Sequence, residues 1–294
     1  MAYASGGPGR GADHTARLLI SCRDGPGIVA AVSSFLFERG ANIVHSDQHS
    51  THAEHGMFFM RVAFHLPELV ADRTGFETEF SMLAERFGMD WRVSYARERK
   101  RVALMASRED HCLFDLLWRH RRGELEMDVP FVISNRELFR DEVQALGVPY
   151  HHIPVTKDTK PQAEGQALEL LAGEVDLVVL ARYMQILTGD FLQRVGCPVL
   201  NIHHSFLPAF AGADPYRRAY EQGVKLIGAT AHYVTEALDA GPIVDQDVQR
   251  VGHGYTVEDL VRVGRDVERV VLARALRSHL DDRVLVNEGR TIVF

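Results

Sequence analysis

One run of apolar residues constrains the fold of this chain more than any other feature. Residues Leu177–Ala181 follow Asp176 as Leu-Val-Val-Leu-Ala, with no polar residue in alternation. A strand covered on one face alternates apolar and polar side chains, whereas a strand covered on both faces reads as a continuous apolar run. The run therefore predicts a central strand of a parallel sheet with helices on both of its faces.

Other strand candidates in the second part of the chain alternate with helical stretches. The strand candidates are residues 102–106, 129–134, 150–153 and 199–202, and the helical stretches include 113–120 and 137–146. This alternation is typical of an open, mostly parallel, Rossmann-like α/β sheet. After Gly223 the pattern predicts strands near 226–234 and 243–251 and a long helix over 256–279.

The first part of the chain has a different order of elements. Strand patterns at 16–22, 42–48, 57–66 and 91–95 are separated by two helical patterns, which begin after Gly27 and carry Phe76 and Phe80. The order β-α-β-β-α-β is the ferredoxin-like arrangement. We therefore expect a disordered tail over 1–15, a first domain over 16–96, a linker over 97–100 and a second domain over 101–294.

Composition excludes several classes of function. The 294 residues include 33 Lys and Arg against 40 Asp and Glu, a formal net charge of −7, which argues against a nucleic-acid-binding surface. The three cysteines are far apart and odd in number, so neither a disulfide framework nor a metal knuckle is expected. No apolar run is long enough to span a bilayer, and the N-terminus lacks a signal core. We expect a cytoplasmic protein with no membrane partner.

The strand candidate at 199–202 ends in polar residues whose side chains could form a catalytic site. Asn201 and His203 are two residues apart and leave a strand on the same face, which favours His203 over His204 as the residue that faces a cleft. An amide can hold an oxyanion, an imidazole can move a proton, and Asp239 can orient the imidazole. Structural roles in a strand end and a turn fit the same residues, so this pattern alone leaves both interpretations open.

Two long motifs resemble those of the folate-dependent formyltransferases. One reads NIHxSxLPxFxG from Asn201, and the other reads GVKxxGxTxHxV from Gly223, followed by LDxGPI from Leu238. The resemblance covers about residues 100–294. It implies that Asn201, His203 and Asp239 form a catalytic trio.

The same resemblance implies a set of substrate-binding residues. They are Met184, Gln185, Ile186 and Leu187 around the pterin ring of a folate, His232 in the cleft, and Gly212 in the first motif. Core packing is the alternative interpretation for Met184, Ile186 and Leu187.

Two departures point away from transfer to a nucleotide. The segment Met105–Cys112 lacks the glycine-rich phosphate loop of the nucleotide-using transferases, and His204 stands where they usually have proline. The chain resembles the members of the family that pass the formyl group to water. This implies hydrolysis of 10-formyltetrahydrofolate to tetrahydrofolate and formate, without a metal or other cofactor. The alternatives are a formyltransferase for another amine acceptor and a non-catalytic folate or amino-acid sensor.

The first domain resembles an ACT domain, a ferredoxin-like module that often binds amino acids. The resemblance rests on Asp24-Gly25-Pro26-Gly27 and on Asn42, which opens the next strand. It implies an amino-acid effector bound by Asp24, Gly25, Gly27 and Asn42, or else a role in homo-oligomer contacts. Four histidines at 45, 49, 52 and 55 do not have convergent spacing, so no metal site is expected there.

Overall fold

The computed structural model describes residues 14–52, 54–69, 71–209 and 214–294. Most of the predicted tail over 1–15 lies outside these residues, but Thr15 already belongs to the first strand. The chain divides into two compact units. One runs through Arg99 and includes Asp282–Leu285 and Ile292–Phe294, and the other comprises Lys100–Asp281 and Val286–Thr291. The division at Arg99 lies within the expected linker, whereas the structure groups part of the C-terminal segment with the first unit.

The first unit has the predicted β-α-β-β-α-β order. Its elements are β1 (Thr15–Arg23), α1 (Ile28–Glu38), β2 (Asn42–Ser50), β3 (Met57–His65), α2 (Arg73–Phe87) and β4 (Asp90–Tyr95). The strands form an antiparallel sheet in the order β2-β3-β1-β4. This arrangement confirms the ferredoxin-like prediction.

One apolar core holds this unit together. Alternate residues of β1 and β3 are buried with the apolar stripe of α1 and with Phe76 and Phe80 of α2. Helix α2 begins where the Asp72 side chain accepts a hydrogen bond from the Gly75 backbone, and it ends at Gly88 in a left-handed conformation. These are common signals for the two ends of a helix.

A buried carboxylate ties the C-terminal segment into the first unit. Asp282 is 1% exposed. It accepts hydrogen bonds from Arg92 at 2.9 Å and Ser94 at 2.6 Å, and it lies 3.6 Å from the Arg17 guanidinium. A buried charge needs such partners because desolvation would otherwise disfavour it. No local pattern predicts this contact, since Arg92 and Ser94 lie 190 and 188 residues from Asp282 along the chain.

The second unit is an α/β sheet with one antiparallel edge. Its strands are β5 (Lys100–Ala106), β6 (Met127–Asp128), β7 (Val132–Ser134), β8 (Tyr150–His152), β9 (Leu177–Ala181), β10 (Val199–His203), β11 (Leu226–Tyr233) and β12 (Ile243–Arg250). The main order is β12-β11-β10-β9-β5-β7-β8, and β6 pairs with β5. Pairing is parallel from β10 to β8 and antiparallel between β10, β11 and β12.

Helices follow most of these strands. They are α3 (His111–Arg121), α4 (Arg140–Ala145), α5 (Lys160–Leu171), α6 (Gly189–Arg194), α7 (Pro215–Glu221) and α8 (Val257–Leu280). All five residues of β9 are buried, as its continuous apolar run predicts. Helix α8 begins with a capping box between Thr256 and Asp259. Two further strands, β13 (Val284–Asn287) and β14 (Arg290–Val293), pair with each other.

Some predicted boundaries are wrong. Strand β7 begins at Val132 rather than at residue 129, because Pro130 lacks the N–H group that a ladder requires. Helix α4 is shorter than the predicted 137–146. Among the described residues, no helix has the length and apolar character needed to cross a bilayer.

Candidate active site

Two neighbouring strands bring an amide and an imidazole together. Asn201 of β10 lies opposite His232 of β11 in the antiparallel register. The Asn201 Nδ2 group is 3.2 Å from His232 Nε2, and His232 Nδ1 is 3.0 Å from the Tyr233 carbonyl oxygen. A carbonyl oxygen can only accept, so Nδ1 carries the proton and Nε2 accepts from the amide. Burial lowers the pKa of His232, which favours this neutral form.

His203 lies two residues further along β10 and faces a carboxylate. Its Nδ1 atom is 3.4 Å from Asp239 Oδ2, and the other oxygen of Asp239 is 3.9 Å from His232 Nε2. Asp239 therefore lies beside both imidazoles. Its backbone has a φ of 53°, a left-handed conformation that aspartate tolerates better than most residues. In the loop after β11, Asp239 is thus both a turn residue and the carboxylate that lies beside the two imidazoles.

The free nitrogen of His203 is the chemically distinctive atom of the site. Nε2 is buried and has no hydrogen-bond partner among the residues that the structure describes. Burial lowers the pKa of His203 below its ordinary 6.5, while the Asp239 charge opposes that shift. A neutral imidazole with Nδ1 toward a carboxylate has a lone pair available on Nε2. This is the arrangement of a general base.

A glycine holds the Asp239 loop close to β11. A Cβ atom on Gly241 would lie 1.8 Å from the Tyr233 carbonyl oxygen, the atom that also accepts from His232. Only glycine fits at this distance. The GPI part of the second motif therefore has a packing reason, since it seats the loop on which Asp239 stands.

These residues line a cleft of about 460 Å³. The predicted residues on its walls are Met184, Gln185, Ile186, Leu187, Asn201, His203, His232 and Asp239. Gly212, also predicted, lies outside the described residues. Met184 is 55% exposed and Ile186 61% exposed, so they are not core residues. The structure thus excludes core packing as the interpretation of these two side chains.

His204 also lines the cleft, but its surroundings differ from those of His203. Burial lowers the pKa of His204 to about 3, and the nearby charge of Arg182 acts in the same direction. Among the described residues, no carboxylate forms an ion pair with His204 as Asp239 does with His203, although the Glu268 charge opposes the shift. His204 is therefore a neutral side chain of the cleft wall, whereas strand alternation predicts that His203 rather than His204 faces the cleft.

A buried charge network, which motif reasoning missed, adjoins the cleft. Glu268 of α8 is 1% exposed and contacts His111, Tyr216 and Arg182. His111 and Tyr216 come from two different helices, and a glutamate in the middle of a helix usually faces solvent. The sequence therefore carried no local signal for Glu268.

Part of this network has the composition of a metal site. Within the described ranges, His111, Cys112 and Glu268 form the one group of three metal-binding side chains whose ligand atoms lie within 4.8 Å of one another. The Arg182 guanidinium lies 3.3 Å from the same carboxylate, and burial raises the pKa of Cys112, which disfavours the thiolate that a metal requires. We interpret the group as an ion-pair network rather than as a metal site.

The predicted effector residues are not brought together within one chain. Asn42 pairs with His65, which pairs with Thr15 at the start of β1, whereas Asp24 follows the end of β1. A nine-residue strand spans roughly 27 Å, so these residues lie at opposite ends of the sheet. Asp24 accepts a hydrogen bond from Ser50, and Gly27, with a φ of 90°, precedes α1 beside Gly25. A single site made of all four residues in one chain is therefore excluded.

Comparison with known proteins finds relatives that match both units of the chain. The Formyl transferase family model matches residues 100–276, and the ACT domain model matches residues 16–72. The formyltetrahydrofolate deformylase of Mycobacterium tuberculosis (strain ATCC 25618 / H37Rv) is 61% identical over 279 residues, which are 95% of this chain and 90% of that protein. The deformylase of Bacillus subtilis (strain 168) is 51% identical over 97% of this chain and 95% of its own length.

The chain belongs to the formyltetrahydrofolate deformylase family. A solved structure of the Pseudomonas syringae deformylase superposes with a TM-score of 0.91 at 50% identity, covering 95% of this chain and 94% of that one. The glycinamide ribonucleotide transformylase 1 of Symbiobacterium toebii has a TM-score of 0.62 at 32% identity and covers 67% of this chain and 94% of its own. The structural similarity to the deformylase thus extends over both units of this chain. The similarity to the transformylase extends over about two thirds of the chain.

The burial of His203 and its position beside Asp239 predict the pH at which its imidazole is protonated. Its imidazole should titrate with a midpoint below 6.5, because burial outweighs the Asp239 charge. Asp239→Asn should lower the midpoint further, since it removes the charge that favours the imidazolium. NMR of histidine-labelled protein measures both midpoints, with His203→Gln to assign the signal and Asp190→Asn, an exposed site, as the control. A midpoint above 6.5, or one that rises in Asp239→Asn, would contradict this account.

Proposed function

We propose that this protein hydrolyses 10-formyltetrahydrofolate to tetrahydrofolate and formate. The observation that carries the proposal is the Nε2 atom of His203, which has no hydrogen-bond partner among the described residues, in a cleft where Nδ1 of the same ring faces Asp239. The identity with deformylases over nearly the whole chain supports the substrate.

In the proposed reaction, His203 acts as the general base. A water molecule beside Nε2 loses a proton to the imidazole while its oxygen forms a bond to the formyl carbon. Asp239 stabilises the resulting imidazolium and holds the ring in the tautomer with its proton on Nδ1. The bond between the formyl carbon and N10 then breaks, and N10 receives the proton from His203. Tetrahydrofolate and formic acid are released, and the acid ionises to formate.

Asn201 supplies the electrostatic part of the mechanism. Its Nδ2 group carries two hydrogens, and His232 Nε2 accepts only one of them. The second hydrogen is available to the oxygen of the tetrahedral intermediate. Because the His232 ring is itself fixed by the Tyr233 carbonyl, the amide is held in one orientation before the reaction begins. This gives His232 a positioning role beside Asn201.

The folate ring has a suitable surface on the other wall of the cleft. Met184 and Ile186 present exposed apolar side chains, and the Met184 backbone N–H is held by the buried Ser107 hydroxyl at 3.0 Å. Exposed apolar side chains on a fixed backbone suit a flat aromatic ligand. We assign the pterin ring to the wall formed by Met184–Leu187.

The two alternative functions predict different results when the protein is mixed with 10-formyltetrahydrofolate. A transferase needs an amine acceptor before it releases tetrahydrofolate, and a sensor binds folate without turnover. Formate release in the absence of any amine separates both from a hydrolase. The proximity of His203 and Asp239 favours a catalyst over a sensor, because binding alone does not require a paired base.

Replacement of His203 should nearly abolish hydrolysis. His203→Ala removes the base, and general acid–base assistance of this kind is typically worth about 10²–10⁴ in rate. Formate and tetrahydrofolate released from 10-formyltetrahydrofolate are measured, with no amine acceptor and with a chelator present. His253→Ala is the matched control, because His253 is exposed and does not line the cleft. If His203→Ala retained wild-type turnover, the assignment would be wrong.

We further propose that the first unit binds an amino-acid effector and that the protein is a cytoplasmic homo-oligomer. The match to the ACT domain model supports the effector. Since Asp24 and Asn42 lie at opposite ends of one sheet, a site that uses both needs two chains. Calorimetry of the full chain with glycine and methionine tests the effector, and the absence of heat with both would contradict it.

A further inference from the structure

The buried carboxylate of Glu268 accepts hydrogen bonds from two side chains and forms an ion pair with a third. Tyr216 donates its phenol hydrogen to Oε1 at 2.5 Å, and His111 Nε2 lies 2.8 Å from Oε2. Arg182 Nε is 3.3 Å from the same Oε2 atom. Burial alone would raise the pKa of Glu268, but the His111 hydrogen bond and the Arg182 charge outweigh it and lower the pKa. The carboxylate is therefore ionised and has a resident cation.

Two backbone features show that the chain is shaped around this network. Gly264 lies one helical turn before Glu268, and a Cβ atom there would be 2.0 Å from the Tyr216 phenol oxygen. Arg182 has a φ of 63°, in the region that favours glycine and that bulky residues rarely adopt. A position suited to glycine thus carries a long cationic side chain. Such strain persists only where surrounding contacts hold it.

Arg182 belongs both to this network and to the wall of the active-site cleft. It lines the cleft with His203 and His204 while its side chain remains only 11% exposed. The centroid of the His204 ring is 5.1 Å from the centroid of the His203 ring and 6.0 Å from that of the Tyr216 ring. The ion pair therefore lies on the histidine side of the cleft, where a nucleophile must approach the formyl carbon.

The chemistry of the acceptor makes this location important. A formyl carbon can be attacked by water or by an amine. A buried carboxylate beside the reacting centre would attract an amine through its N–H or ammonium group. Here the guanidinium occupies that carboxylate, and because it cannot lose its proton it repels ammonium ions at every working pH. Water is neutral and small, so it is not excluded.

We propose that Arg182, held against Glu268, is the specificity-determining residue that closes the cleft to amine acceptors and leaves water as the formyl acceptor. This inference rests on the proposed hydrolysis. Removal of the guanidinium should open space beside His203 and free the Glu268 carboxylate for an amine. The amine nitrogen would then bond to the formyl carbon, the bond to N10 would break, and the proton lost by the amine would pass to N10. The products would be a formamide and tetrahydrofolate.

The test compares the wild type with Arg182→Gly, Arg182→Asn and Arg182→Lys. Glycine and asparagine both tolerate the positive φ, whereas lysine keeps the positive charge. Each full-length protein is incubated with 10-formyltetrahydrofolate and glycinamide as the amine probe. Mass spectrometry measures N-formylglycinamide and formate from the same reaction. Thermal unfolding and tetrahydrofolate binding show that each variant is folded.

From the wild type and from Arg182→Lys we expect formate, with a ratio of formylglycinamide to formate no higher than that of a reaction without enzyme. The ratio of formylglycinamide to formate should rise by roughly tenfold or more in Arg182→Gly and Arg182→Asn, the lower end of what one changed pocket contact produces. If Arg182→Gly does not fold, Arg182→Asn decides. An unchanged ratio in the folded neutral variants, an equal rise in Arg182→Lys, or a wild-type ratio above that of the reaction without enzyme would overturn the inference. A wild type that releases no formate would instead contradict the proposed hydrolysis.

Discussion

In the second unit, the pairing of Asn201 with His232 across β10 and β11 is the contact on which the rest of the site depends. The same register places His203 opposite Thr230, whose hydroxyl donates to the Ser205 carbonyl at 2.9 Å and accepts from the Leu207 backbone at 3.0 Å. One antiparallel pairing therefore fixes the amide, both imidazoles and the start of the loop after β10. A shift of one residue would turn every one of these side chains to the other face.

Burial and charge act against each other at each histidine of the cleft. Desolvation lowers the pKa of His203, His204 and His232, and a carboxylate charge opposes the shift at each of them, Asp239 at His203 and His232 and Glu268 at His204. The neutral form of the His203 imidazole is therefore favoured, and Asp239 lies close enough to stabilise the imidazolium when the ring is protonated. Arg182 and Glu268 form an ion pair within the wall, so their charges offset each other. The site can thus hold Arg182 and Glu268 beside its histidines with the charges of these two side chains paired.

Much of this organisation follows from sequence pattern, and the remainder has a physical reason for being missed. Continuous burial of Leu177–Ala181 and the shared face of Asn201 and His203 follow from strand geometry. The association of Asp239 with His203 came only from resemblance, because no periodicity connects a loop to a strand. Glu268 was not predicted at all, since its partners come from separate elements and mid-helix glutamates are ordinarily solvated. Contacts between distant residues need the tertiary fold, which local patterns do not encode.

The central claim is that His203 and Asp239 act as one unit, and a double-mutant cycle on turnover tests it most directly. The rate of formate release is measured for the wild type, His203→Ala, Asp239→Asn and the double variant. If Asp239 acts through the imidazole, the double variant should be no slower than His203→Ala, because nothing remains for the carboxylate to orient. Losses that multiply, so that the double variant is slower than His203→Ala by the full factor of Asp239→Asn, would contradict the account.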